Sequence, residues 1–275
     1  IDRADRAAHY DDLFEQVRDH FRRIYCNAEG DLNPEVRTQT GYLLALRNDL
    51  LLPERRPAAV AALKQKIIDN GYKLSTGFVG SCILNEVLAE FGENDLAYSL
   101  LLQTENPSWL YSVHQGATTI WERWNSYTKA TGFGDVGMNS FNHYAYGAVQ
   151  EWMYRHIAGI ETTEQAPGFA HPILQPKPDT RSAEEIPAGQ EKITWVRTSF
   201  ASPVGLIESA WDMTDGFTYT CRVPVAATLH LPLIGNAETL VINGVAHKPD
   251  EFKLCPVGKG VTIELAPGAY TFEQK

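Results

Sequence analysis

One feature constrains this chain more than any other: its hydrophobic period changes once, near residue 160. Before that point apolar residues recur every three or four positions, the spacing of one helix face. After it they alternate, the spacing of a strand with one buried side. The pattern predicts a helical array followed by an antiparallel β-sandwich.

The helical part reads as about six helices joined by short polar turns. Residues 3–27 carry Leu13, Val17, Phe21 and Ile24 as a stripe. Residues 36–51 follow with Val36, Tyr42, Leu43, Leu46 and Leu50 and break at Pro53. Pro57 sits where a first helical turn tolerates proline, and Asn70-Gly71 closes the helix that carries Val60, Leu63, Ile67 and Ile68. Residues 80–91, 93–103 and 142–158 complete the set. The stretches 104–118 and 130–140 read as irregular. They are rich in glycine and aromatics, and long loops of that kind in a compact array are usually functional.

Residues 161–192 contain Pro167, Pro172, Pro176, Pro178 and Pro187 and read as an extended connector. From 193 to 275 about seven short alternating stretches appear, broken by Asp215-Gly216, Asn243-Gly244 and Pro267-Gly268. Trp195 and Trp211 fall inside alternating apolar strands. They read as residues of the sandwich core or of its interface to the helices, with sugar stacking as the alternative.

Composition narrows the function. Hydrophobic residues make up 44% and charged residues 21% of 275, which excludes wholesale disorder. The net charge of −10 divides evenly between the two parts, and no basic run offsets it, so nucleic acid is not an expected partner. No apolar run approaches the roughly 20 residues of a bilayer span, so no membrane role is expected. Cys26, Cys82, Cys221 and Cys255 lie far apart with no Cys-x-x-Cys pair. That spacing is compatible with a reducing cytoplasm. A periplasmic or secreted location stays open, because the first residue is Ile1 and the true N-terminus is expected to be absent.

The chemistry concentrates late in the helical part. Four of the six tryptophans are Trp109, Trp121, Trp124 and Trp152. Aromatic rings beside a carboxylate suit a sugar, whose C–H faces stack and whose hydroxyls need acceptors. Glu122 is the carboxylate. The competing reading makes Trp121 and Trp124 core residues at i, i+3 and Glu122 a solvated helix position. Arg123 would depress Glu122 if the two paired, but sequence neighbours generally point apart, so Arg123 is expected to find another partner. His143 falls in the first turn of the last helix, where a neutral imidazole donates one hydrogen bond and accepts another. It reads equally as a capping or packing histidine. His114 reads as structural, Gln39 as a surface helix residue, and Thr76-Gly77-Phe78-Val79-Gly80 as a helix entry with two flexible glycines. The remaining histidines have no partners at ligand spacing, so neither a metal nor a cofactor is expected.

Taken together, Gly116-Ala117-Thr118-Thr119-Ile120-Trp121-Glu122-Arg123-Trp124 resembles the signature of the bacterial α-L-rhamnosidases of glycoside hydrolase family 78. Thr38-Gln39-Thr40-Gly41-Tyr42, Thr76–Gly80, Pro107-Ser108-Trp109-Leu110-Tyr111 and Ser140-Phe141-Asn142-His143-Tyr144 agree with that family in order and spacing. The tail, with Gly205-Leu206-Ile207-Glu208-Ser209-Ala210-Trp211, resembles its C-terminal sandwich. The resemblance covers nearly the whole chain. It implies that residues 1–160 are the C-terminal half of an (α/α)6 toroid, 161–192 a connector and 193–275 the sandwich. It implies an inverting hydrolase that removes terminal α-L-rhamnose from a glycoside or polysaccharide. Glu122 would be the general base and His143 a rhamnose contact, with Trp121, Trp109, Phe78 and Gln39 at or near the mouth.

The family's general acid belongs to an acidic, tryptophan-containing motif in the first half of the toroid. Nothing before residue 38 matches it. Asp2-Arg3-Ala4-Asp5-Arg6 has the residue types but reads as a helix start. Half the helices of a closed ring are present. The chain is therefore expected to lack the acid, to be inactive or nearly so alone, to pair with a preceding part of the same protein, and to self-associate through the open helical face. Two other readings stand beside this one. One is a non-catalytic carbohydrate-binding protein that keeps the sugar mouth. The other is a different (α/α)6 glycosidase or a lyase, for which Arg123 and Lys129 are the only cations near the signature.

Overall fold

The computed structural model describes residues 3–256 and 258–275. Ile1 and Asp2, where the Asp2–Arg6 segment begins, lie outside the described residues, as does Val257. The chain forms two compact units, residues 1–149 with 187–190, and residues 150–186 with 191–275.

The first unit is helical: α1 (Ala4–Tyr25), α2 (Gln39–Arg47), α3 (Arg56–Asp69), α4 (Phe78–Ser81), α5 (Leu84–Glu90), α6 (Asn94–Leu101) and α7 (Trp109–His114). Its core is the inward stripe of these helices. Leu43, Leu63, Ile67, Leu84 and Leu100 are fully buried. Thr38 caps α2 by accepting the Gly41 N–H at 2.9 Å. Gly80 is not a flexible entry residue. A Cβ there would lie 2.6 Å from Thr40 Oγ1 and 2.8 Å from Thr76 Cγ2, so glycine is what lets α4 approach α2.

Three expected elements differ. The helix expected over 80–91 is two pieces, interrupted at Cys82 and Ile83. The stretch 104–118 holds α7, whose N-terminus is fixed by the Ser108 hydroxyl accepting from Tyr111 N. The last helix starts at Ala145, as a 3₁₀ turn Ala145–Ala148. It continues as α8 (Val149–Trp152) and then a π-helical turn, Met153–Ile157, closed by the Ala158 N–H donating to Met153 O.

α1 is amphipathic, yet none of its residues is buried. Leu13 is 42% and Val17 54% exposed. Its end is anchored by Arg22, which donates to the carbonyls of Leu50 and Leu51. Its apolar stripe is otherwise open.

A hairpin interrupts the first unit after α7. β1 (Tyr127–Thr128) pairs antiparallel with β2 (Gly132–Phe133). Gly132 turns the chain at φ +74°. This places order inside the 130–140 stretch that the sequence reads as irregular.

The second unit is built of two sheets. The strands are β3 (Ile160–Glu161), β4 (Ile173–Leu174), β5 (Trp195–Ser202), β6 (Gly205–Asp212), β7 (Thr218–Val223), β8 (Ala227–Pro232), β9 (Leu240–Ile242), β10 (Val245–His247), β11 (Lys253–Leu254), β12 (Gly260–Leu265) and β13 (Gly268–Gln274). One sheet has the order β10-β9-β13-β7-β6-β5, the other β11-β12-β8-β4-β3. All pairings are antiparallel except β4 with β8. The segment 161–192 is thus more than a connector, since β4 completes a ladder with β8 at Leu174↔Leu229. Gly159 turns at φ +75°, and a Cβ there would sit 2.1 Å from the Gln175 carbonyl carbon, so the approach of β3 to β4 requires glycine. Asn243 and Gly244 both have positive φ, the two-residue turn that Asn-Gly encodes.

The Pro-rich segment is pinned by a buried ion pair. Arg181 is 1% exposed and Asp179 fully buried, and Arg181 donates to both Asp179 oxygens at 2.7–2.8 Å. Asp179 also accepts from Ile193 N at 3.1 Å.

Candidate functional site

The site begins with the backbone. After Trp124 the β1–β2 hairpin folds the chain back, and residues 119–122 come to lie alongside 140–143. Glu122 N donates to Ser140 O and His143 N to Ile120 O, both at 2.9 Å. The Thr119 hydroxyl donates to Phe141 O. The two motifs that carry Glu122 and His143 are therefore held in one register, each by the other.

Glu122 is half-buried in a bend, not on a helix. Its Oε2 accepts the Ser140 N–H at 2.7 Å. Its Oε1 accepts no hydrogen bond among the described residues. A carboxylate with one oxygen fixed and the other open has what a general base needs: a set orientation and a free lone pair. Arg123 does find another partner, donating to Gly137 O at 3.1 Å and bracing the loop.

His143 precedes the last helix and does not lie in its first turn. Its Nδ1 accepts from Ala145 N at 3.4 Å, a capping contact that leaves Nε2 as the donor of the neutral ring. The ring stacks on Phe78, with centroids 4.6 Å apart and planes 11° from parallel. Both are half-buried.

Behind this pair lies an aromatic ladder. Phe78 leans on Tyr146 at 5.2 Å, Tyr146 stacks on Trp124 at 3.7 Å, and Trp124 meets the edge of Trp109 at 5.5 Å. Each indole N–H finds a carbonyl, Trp109 that of Tyr146 at 2.8 Å and Trp124 that of Thr76 at 3.3 Å. Burial pushes the Tyr146 phenol up, with the Cys82 thiol and the Glu122 carboxylate adding to it, so Tyr146 stays protonated close to Glu122. Cys82 is likewise raised by burial.

The remaining sequence candidates separate. Trp121 is buried and packs edge-on against Phe141 and Tyr127 at 5.3 and 6.4 Å. With Trp109, Trp124 and Tyr146 it lines an apolar cleft of about 380 Å³ that neither Glu122 nor His143 lines. Gln39 is fully buried, contrary to its reading as a surface helix residue. Its amide donates to Lys73 O at 3.1 Å and accepts from Ser75 N at 2.8 Å. It holds the segment 73–75 that leads into Thr76–Gly80 and so sets the position of Phe78. His114 is exposed at the end of α7. Tyr146 and Ser140 were not among the sequence candidates. Tyr146 lies three residues past His143, just outside the motif that carries it. The role of Ser140 is carried by its main chain, which side-chain type does not reveal.

Among the described residues no three histidine, cysteine, aspartate or glutamate side chains gather as metal ligands, and no helix is long and apolar enough to cross a membrane.

Comparison with known proteins places the chain. Residues 1–157 match a family described as the bacterial alpha-L-rhamnosidase 6 hairpin glycosidase domain. Residues 159–245 match one described as the bacterial alpha-L-rhamnosidase C-terminal domain. An alpha-L-rhamnosidase of Formosa agariphila is 38% identical over 279 aligned residues, covering 100% of this chain and 29% of that protein. One of Streptomyces avermitilis is 40% identical over 223 residues, covering 81% of this chain and 20% of that protein. The crystal structure of the Streptomyces avermitilis α-L-rhamnosidase complexed with L-rhamnose superposes with a TM-score of 0.82 at 34% identity, over 98% of this chain and 24% of that one. That of the Aspergillus terreus enzyme gives 0.77 at 29% identity, over 98% and 27%. The chain thus spans 20–29% of the length of these relatives.

Proposed function

This chain belongs to the bacterial α-L-rhamnosidase family, and from that membership we propose that it carries the general-base side of an inverting site that hydrolyses terminal α-L-rhamnosides. The observation that carries the reading is the Glu122 carboxylate, with Oε2 fixed on Ser140 N and Oε1 open. Oε1 takes a proton from water as the water oxygen bonds to the anomeric carbon. The bond to the aglycone oxygen breaks with its electron pair, and that oxygen takes a proton from a second carboxyl group. Inversion needs the two carboxyls about 6.5–9.5 Å apart, on opposite faces of the sugar. His143 Nε2 and the Phe78 face supply one hydrogen-bond donor and one stacking surface for the sugar. Trp109, Trp124 and Tyr146 back them, and Gln39 supports them from below. Trp121 steadies the loop that carries Glu122.

The second carboxyl is proposed to come from a preceding part of a longer polypeptide. The length relation to the relatives supports this, as does the open apolar stripe of α1, which such a part would cover. The 275 residues alone are then inactive or nearly so, and associate through that stripe.

The test compares this chain with the complete polypeptide on an aryl α-L-rhamnoside, with the product anomer read by NMR at early times. The reading expects release of β-L-rhamnose by the complete protein and none above background by the chain alone. Turnover by the chain alone would mean that it holds its own acid. A complete protein that binds rhamnosides without cleaving them would favour a carbohydrate-binding role.

A further inference from the structure

The sandwich presents a second surface with the chemistry of a sugar site, independent of Glu122. In the six-stranded sheet the residues that alternate outward fall into cross-strand rows. One row is Arg197↔Ala210↔Thr220↔Thr271. The rows beside it are Trp195↔Asp212↔Thr218 and Ser199↔Glu208↔Arg222. The middle row has the small Ala210 and Thr220 at its centre, and Trp195, Asp212, Glu208 and Arg222 stand in the rows on either side, so the face is a trough and not a ridge. Two depressions of about 460 and 490 Å³ share Arg197, Ala210 and Thr220, and together they run across β5, β6, β7 and β13. Four strands at the usual spacing of about 4.8 Å give a trough about 14 Å long.

Its lining is specific in kind. Trp195 lines neither depression but stands beside them, paired in register with Asp212; it is 58% exposed, although its strand pattern reads as core, whereas Trp211 on β6 is buried with its indole N–H on Ile157 O. The Arg197 guanidinium lies 5.8 Å from the Trp195 ring centroid and keeps the indole at the rim. Asp212 is preset as an acceptor, because Thr214 N donates to its Oδ1 at 2.8 Å and holds the carboxyl below its usual range. Arg222 and Glu208 pair at 2.8 Å on the far wall. Cations and carboxylates therefore nearly balance along the trough, and hydroxyls separate them. A polyanion finds no excess of positive charge here. A neutral, hydroxyl-rich chain finds donors, acceptors and one open ring face.

We propose that this trough is a non-catalytic binding site for a neutral oligosaccharide chain, with Trp195 as its stacking platform and Asp212 and Arg197 gripping hydroxyls.

The test is affinity electrophoresis of the full 275-residue chain in native gels containing a soluble neutral rhamnan, dextran or polygalacturonate. Wild type and His143→Phe, which weakens sugar binding at the proposed catalytic site, are expected to be retarded equally by at least one neutral polymer, which separates this site from that one. Trp195→Ala is expected to weaken retardation about tenfold, the usual effect of removing an aromatic anchor. Thr220→Arg, which fills the floor and leaves the indole in place, is expected to do the same. Both positions are exposed, and unchanged thermal melting would establish folding. No retardation of wild type by either neutral polymer, retardation by polygalacturonate alone, or equal retardation of Trp195→Ala would each overturn the proposal.

Discussion

The Glu122 carboxylate and the Ser140 main chain are joined twice: Ser140 N donates to Oε2 at 2.7 Å, and Glu122 N donates to Ser140 O at 2.9 Å. One peptide N–H thus orients the side chain, and the carbonyl of the same residue fixes the bend that carries it. The hairpin between them is what turns two distant motifs into one site.

The histidine should act on binding. His143→Phe keeps the stack on Phe78 but removes the Nε2 donor. In the complete polypeptide it should raise KM for an aryl rhamnoside about tenfold, the worth of one good hydrogen bond to a sugar hydroxyl. Steady-state kinetics would check this. An unchanged KM would remove His143 from the sugar contacts.

The buried ion pair should be sensitive to losing one partner. Arg181→Met leaves the Asp179 carboxylate buried without its main counter-ion and should destabilise the second unit by about 3–5 kcal/mol. Chemical denaturation would measure it. Replacing both partners with apolar residues should recover much of the loss, because the desolvated charge then disappears as well.

Alkaline pH should loosen the sandwich. Burial pushes the Cys221 thiol from its ordinary value near 9 to about 12. A raised acid loses a proton more readily unfolded than folded, so its contribution is complete below about pH 9 and is lost as pH rises towards 12. Burial pushes the neighbouring Tyr219 phenol in the same direction. Melting temperatures should therefore fall from about pH 9 upward, and Cys221→Val should flatten part of that slope.

The open face of α1 should make the isolated chain associate. Sedimentation velocity should show mass rising with concentration, and Leu13→Glu with Val17→Glu should return the chain to monomer. A monomeric wild type at high concentration would mean that the stripe needs no cover.

The sequence was most informative where a side chain reports its own environment. The alternation in β5 to β8 and the Asn243-Gly244 turn specify local geometry, and both are found. Period 2 does not say which face looks outward when both carry apolar residues. Trp195 and Val196 alternate on β5, and the larger one is the exposed one. β3 and β4 are two-residue strands inside a proline-rich stretch, too short for any period. Gln39 shows the limit most clearly. An amide in a first helical turn reads as solvated, and only tertiary contact with residues 73–75, more than thirty positions away, buries it. Glu122 and His143 stand out in the sequence as candidates through their motifs, whereas the hairpin that brings the motifs together does not.

The most direct test is Glu122→Gln in the complete polypeptide, assayed on an aryl α-L-rhamnoside. The amide keeps the shape and removes the base. The account predicts a fall in kcat of about 10²–10⁴ with KM little changed and the fold intact. A variant that turns over as fast as wild type would contradict it and assign the base elsewhere.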